Sequence, residues 1–229
     1  MSVMQKVNLH GVEEFDPYAA RRQFPILSRQ VNGRPLVYLD SAASAQKPRA
    51  VIEALTERMS GSYANVHRGL HTLANETTEA YEAARESVAR YLNARSSSEI
   101  VFTKGGTEAI NLVAASLGLT FAAGDEVVLT EMEHHSNIVP WQVLCRERGA
   151  ELRYLEVDER GELSLQALEA ELARGDVRLA AFAHVSNVLG TINPVAEMVA
   201  RVRAAGAVSL IDGAQAVPHM PVDLSLIHI

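Results

Sequence analysis

A single cysteine, Cys145, stands in a chain of 229 residues. It excludes a disulfide framework and a thiolate metal cluster within one chain. Runs of lysine and arginine are also missing, and the net charge is −7. Nucleic acid and an anionic membrane surface are therefore poor partners. The first residues, MSVMQKVNLHGVEEFD, lack an apolar core of signal-peptide length, and no segment approaches a membrane span. A cytoplasmic setting is expected. Internal repeats and low-complexity linkers are absent as well. What remains is the composition of a globular α/β protein, 48% hydrophobic and 21% charged.

Short elements come first. A helix is expected over Val12–Gln23, stopped by Phe24-Pro25, then an Asn32-Gly33 turn and a strand over Leu36–Leu39. Pro48 opens a helix to about Met59, Tyr63–His71 reads as a loop, and a long helix follows from Thr72 to about Asn93. Leu73, Tyr81, Ala84, Val88 and Leu92 fall near one stripe of it.

From Ile100 onward strands and helices alternate. Strands are expected at Ile100–Thr103, Glu126–Leu129, Glu151–Leu155, Leu179–His184 and Ala207–Ile211. The intervening helices are Thr107–Leu117, Ile138–Arg148, Leu165–Ala173 and Pro194–Ala205. Val195, Met198, Val199 and Val202 share the inner face of the last, with Gly206 as its stop. This alternation predicts an α/β fold, a mostly parallel sheet sandwiched by helices with an N-terminal helical segment. In such sheets a ligand lies beyond the carboxyl ends of the strands. The loops there are Lys104–Thr107, Glu131–Asn137, Val185–Asn193 and Asp212–Gln215.

Each loop admits an ordinary reading and a chemical one. Gly105-Gly106-Thr107 at the start of a helix suits a phosphate, through close backbone amides and the helix dipole, or is simply a turn. It fits neither the dinucleotide nor the Walker pattern. His134 and His135 point apart in an extended segment, so joint metal chelation is disfavoured. His67 and His71 are four apart, but Gly69 between them breaks a helical metal site. No metal is expected. Asp212 after a buried strand is a turn cap or the partner of a cationic ring nitrogen. Phosphate cradle, imidazole and carboxylate on successive strand ends together suggest a phosphorylated pyridine.

The segments YLDSAASAQKP, NVHRGLHTL, EMEHHSNIVPWQ, HVSNVLGTINP and DGAQAVPHMPVD closely resemble the SUF-type cysteine desulfurases, which belong with selenocysteine lyases and the class V aminotransferases. The resemblance runs from about Phe24 to Asp223. It implies a homodimeric fold-type I enzyme dependent on pyridoxal 5'-phosphate. Such an enzyme removes sulfur from L-cysteine, or selenium from L-selenocysteine, leaving alanine, and a desulfurase passes its persulfide sulfur to an acceptor protein for iron–sulfur cluster assembly.

By motif, Asp212 should pair with the pyridine nitrogen, Gln215 bond the phenolic oxygen and His134 stack on the ring, with a part in proton transfer. Gly106 and Thr107 should hold the phosphate, and Asn187 should lie near the cofactor oxygen and the substrate carboxylate. Ala42 should line the substrate pocket, with His67 and Arg68 at its mouth.

Two departures qualify the resemblance. Gly106 stands where the family often carries a second hydroxyl residue. The family's Schiff-base lysine and persulfide cysteine have no counterpart: the lysines are Lys6, Lys47 and Lys104, and the chain reads PVDLSLIHI where the lysine segment would approach. Residues 1–35 are accordingly expected as an N-terminal segment, 36–223 as an incomplete large domain and 224–229 as a tail outside the family pattern. The chain so truncated is expected to be inactive.

Overall fold

The computed structural model describes residues 15–226. The chain divides into two compact units, one ending at Ala80 and one beginning at Tyr81.

In the first unit, helix α1 spans Pro17–Arg22, capped by the Asp16 carboxylate on the Tyr18 amide at 2.8 Å. The expected residues before Phe15 lie outside the described residues. Strands β1 (Gln30–Val31) and β2 (Arg34–Pro35) form an antiparallel hairpin about Asn32-Gly33, whose φ values of 52° and 72° suit a tight two-residue turn. The expected strand at Leu36–Leu39 is not one. The Leu36 carbonyl instead accepts from the Arg21 guanidinium at 2.7 Å, and Val37 and Leu39 are exposed. Helix α2 covers Arg49–Gly61 and buries none of its residues. Helix α3, Thr72–Tyr91, enters the second unit. Its buried positions are Ala74 and Ala89, and Leu73 is exposed. At Ala74 a small residue is required, since a Cβ on Gly69 would already collide with the Ala74 Cβ.

The second unit carries the sheet. Its strands are β3 (Glu126–Thr130), β4 (Glu151–Leu155), β5 (Val177–Ala183) and β6 (Val208–Asp212), all parallel in the order β4-β3-β5-β6. Helices α4 (Gly106–Leu117), α5 (Val139–Arg148), α6 (Leu165–Leu172) and α7 (Val195–Ala204) cover it. The Val127–Leu129 stretch and LAAFA are continuous apolar runs because β3 and β5 are central and buried on both faces. Period-two alternation divides them: Val127, Leu129, Leu179 and Ala181 pack with α4 and α5, whereas Val128, Ala180 and Phe182 pack with α6 and α7.

Helix α7 forms as its sequence suggests. Val195, Met198, Val199 and Val202 are all buried. It closes with Gly206 at φ 78°, the Gly206 amide bonded to Arg203 and the Ala207 amide to Val202, a Schellman arrangement.

A second expected strand is also absent. Ile100–Thr103 runs without a ladder partner among the described residues, and Phe102 instead packs edge-on against Tyr81 at 5.3 Å. No described helix is long and apolar enough to cross a membrane.

Candidate functional site

From β3 the chain moves to β4 on one side, then crosses back to β5 on the other. The order reverses between β3 and β5, and their carboxyl ends open the crevice where parallel sheets bind ligands. The loops leaving these ends, Glu131–Asn137 and His184–Asn193, lie there, with the end of β6 beside them.

A cavity of about 910 Å³ lies along β6 and is lined by Gly106, Ile110, His184, Asp212 and Gly213 among others. It therefore brings a helix N-terminus and a carboxylate into one space. At the α4 end, Gly105 is the N-cap and has no side chain to occupy the first-turn amides. A Cβ on Gly105 or Gly106 would meet nothing within 4 Å, so the approach is open to a ligand. The Glu108 carboxylate folds back onto the Lys104 amide at 2.5 Å. Thr107 is exposed on the same turn.

Asp212 ends β6 and is half-buried. Its carboxylate accepts the Ala214 amide at 2.9 Å, so it does act as a turn cap, and it borders the cavity as well. Its carbonyl accepts the His184 amide at 2.9 Å, tying the ends of β5 and β6 together. Gln215 is half-buried in the turn that follows. His184 was not singled out by sequence. It is buried, its Nδ1 has no hydrogen-bond partner among the described residues, and burial pushes its pKa below the usual histidine value.

His134 caps the short 3-10 helix His135–Asn137, its Nδ1 accepting the Ser136 amide at 3.2 Å. His135 lies 6.2 Å away, centroid to centroid. Thr107, His134 and Asn187 are exposed and are not among the residues lining the cavity. Asn187 belongs to a loop closed by Ser186, whose amide and carbonyl bond Thr191 and Gly190 at 3.0 Å each.

Beneath the His134 turn lies a network that sequence reasoning missed. Glu133 is 7% exposed and accepts from the Thr130 hydroxyl at 2.5 Å, the Ala183 amide at 2.9 Å and the Asn137 side-chain amide at 2.6 Å. The Trp141 indole donates to Asn137 Oδ1 at 2.9 Å. Burial pushes the Glu133 carboxyl above the usual range despite these bonds, and the charge of Asp212 adds to the rise. The one available signal was the spacing: Glu133, Asn137 and Trp141 recur every four residues. Asn193 is equally buried, its side-chain amide donating to the Ala183 carbonyl at 2.8 Å.

In the first unit, Ala42 is exposed in a turn held by the Tyr38 hydroxyl, which donates to the Ser44 carbonyl at 2.5 Å. His67 and Arg68 are exposed, and His67 adopts φ 61° with its amide donated to Thr78 Oγ1 at 3.0 Å. Cys145 lies on the buried face of α5, and burial drives its thiol pKa up to about 11, which makes it a poor nucleophile.

Comparison with known proteins adds independent findings. The family model for aminotransferase class-V matches residues 37–229. A cysteine desulfurase of Yersinia pestis (strain Pestoides F) is 56% identical over 205 residues, covering 89% of this chain and 50% of that protein. The chain thus spans about half the length of the curated relatives it matches. Among solved structures, the apo cysteine desulfurase of Thermococcus onnurineus NA1 superposes with a TM-score of 0.87 at 37% identity, over 94% of this chain and 52% of that one. The cysteine desulfurase CsdA of Escherichia coli gives 0.79 at 38% identity, over 94% and 53%.

Proposed function

The chain belongs to the aminotransferase class-V family, and from that premise we propose that it forms the pyridoxal 5'-phosphate cradle of a cysteine desulfurase acting on L-cysteine. One observation carries the reading. A single cavity is bordered by the open N-terminus of α4 at Gly106 and by the Asp212 carboxylate at the end of β6. The first suits a phosphate and the second a protonated ring nitrogen, the two charged ends of one phosphorylated pyridine.

The residues present fit that group. Amides at Gly106 and Thr107 would hold the phosphate, and nothing stands above Gly105 or Gly106 to exclude it. Asp212 would keep a proton on the ring nitrogen, since an anion beside it raises the cost of losing that proton. Gln215 would bond the phenolic oxygen, His134 would cover one ring face and hold a proton at Nε2, and Asn187 would meet the substrate carboxylate. Ala42, His67 and Arg68 are proposed for the substrate side. When bound, pyridoxal phosphate supplies the electron sink that lets bonds at the amino acid's α-carbon break. The products proposed for the whole enzyme are alanine and a sulfur atom destined for an acceptor protein of iron–sulfur assembly. A homodimer is proposed for it too.

Lys104 is exposed and is not among the residues lining the cavity, so it is badly placed to bond the aldehyde. Binding by this chain should therefore be non-covalent. Equilibrium titration with pyridoxal phosphate tests it: saturable binding is expected, weakened about ten-fold or more by Asp212→Asn through loss of a charged partner. Borohydride reduction followed by mass analysis should leave the lysines unmodified. Stoichiometric tagging of Lys104, or binding indifferent to Asp212→Asn, would refute this reading.

A further inference from the structure

The Glu133 network has a logic that follows from which of its members can only donate. The Trp141 indole can donate but not accept, so it fixes the Asn137 side chain with Oδ1 towards the indole, at 2.9 Å. The Asn137 amide nitrogen must then face Glu133, and Glu133 Oε2 must accept from it, at 2.6 Å. On the other side the Ala183 backbone N–H can also only donate, and Oε1 accepts it at 2.9 Å. The Thr130 hydroxyl is the one adaptable member, at 2.5 Å from the same oxygen. A carboxylate satisfies every partner. An amide of the same shape cannot, because one of its ends would turn a donor towards a donor.

These partners lie on different elements. Thr130 ends β3, Ala183 ends β5, and Asn137 closes the 3-10 turn His135–Asn137 leading into α5, where Trp141 sits. Asn137 also bonds the turn directly, its backbone amide donating to the His134 carbonyl at 2.8 Å. Thr130, Asn137 and Trp141 are fully buried, so water cannot replace a lost bond cheaply. His134 itself is exposed, and among the described residues its ring is hydrogen-bonded by Ser136, at 3.2 Å to the amide and 2.8 Å to the hydroxyl.

We infer that Glu133 is a positioning residue: its carboxylate, facing three donors, clasps the ends of β3 and β5 to the turn that presents His134. It touches neither ligand nor substrate and acts through His134. The inference rests on the proposed reading for what His134 does, but the clasp itself stands or falls without the cofactor.

The test uses the whole 229-residue chain. The ring nitrogens of His134 are read by long-range proton–nitrogen NMR above the histidine titration range, with His134→Gln to assign the signals. In the unaltered chain Nδ1 should report as an acceptor and Nε2 as protonated. Glu133→Gln should erase that signature, the ring averaging between states, and weaken pyridoxal phosphate binding about ten-fold or more. The deciding arm adds Trp141→Phe to Glu133→Gln. Without the indole donor, Asn137 is free to flip and accept from the new amide, so the double variant should regain the His134 signature and most of the affinity.

A residue that served only general stability would lower the melting temperature and leave the His134 signature alone. An unchanged signature in Glu133→Gln overturns the clasp. If Glu133→Gln alone prevents folding, the double variant is judged against Trp141→Phe alone: a fold and His134 signature matching that variant support the clasp, and a double variant that stays unfolded or lacks the signature while Trp141→Phe keeps both overturns it. Should the unaltered chain bind no pyridoxal phosphate while the signature behaves as described, the proposed function fails and the clasp stands. Asp212→Asn separates the two in the other direction, weakening binding with the His134 signature intact.

Discussion

Replacing Trp141 by phenylalanine tests how tightly the buried polar network is built. The indole is fully buried in the cluster that includes Ile110, Leu129 and Leu144, and it donates to Asn137 Oδ1 at 2.9 Å. Two losses follow. The smaller ring leaves about two carbons' worth of space, costing about 1.6 kcal/mol at about 0.8 kcal/mol for each buried carbon. The Asn137 oxygen, itself fully buried, loses its donor at a cost of about 1–3 kcal/mol. Together these destabilise the fold by about 2.6–4.6 kcal/mol. For a chain of this size that lowers the melting temperature by roughly 5–18 °C. Urea unfolding followed by circular dichroism supplies the free energy, and calorimetry the temperature. A loss below about 1 kcal/mol would show that the indole bond and its packing do not matter, and the donor argument built on Trp141 would collapse.

Two further outcomes are expected. Burial holds the His184 imidazole below its ordinary pKa of 6.5. The unfolded chain then binds the proton more readily, so this contribution to stability is present above the unfolded value and lost as pH falls from there towards the folded one. Glu133 works with the opposite sign: its raised pKa gives stability that is present in acid and lost as pH rises through the folded value. His184→Phe isolates the first effect, and its melting temperature should fall less than that of the unaltered chain between about pH 7.5 and about pH 5.5. An equal fall would refute it. Gly106→Ser should restore the hydroxyl the family often has in an open position, with nothing within 4 Å of its Cβ. Pyridoxal phosphate binding should tighten about two- to ten-fold with no loss of melting temperature, as one added hydrogen bond is worth about 0.5–1.5 kcal/mol; weaker binding would place the phosphate elsewhere.

Helices were legible because their information is local. The 3.6-residue spacing of Val195, Met198, Val199 and Val202 and the glycine at 206 specify α7 without reference to anything distant. Central strands were legible for a related reason, since only a strand buried on both faces tolerates EVVLT or LAAFA. The candidate site was half legible. Asp212 and Gly106 stand where strand and helix ends were expected, and they share a cavity. Glu133, Asn193 and His184 were not singled out, because burial of a polar side chain depends on neighbours from elsewhere in the chain. Glu133 bonds an amide 50 residues away.

The sequence by itself determined the alternation of elements, the resemblance to cysteine desulfurases and the chemistry available on the strand ends. Each of these is carried by residues close together in the chain. Only the tertiary structure decided which extended segments became strands: Ile100–Thr103 has the residues of a strand, but a ladder needs a partner and it has none among the described residues. It also decided that Glu133 is a buried acceptor rather than a solvated charge. A carboxylate's role is set by which donors face it, and those donors meet only when β3, β5 and α5 pack together.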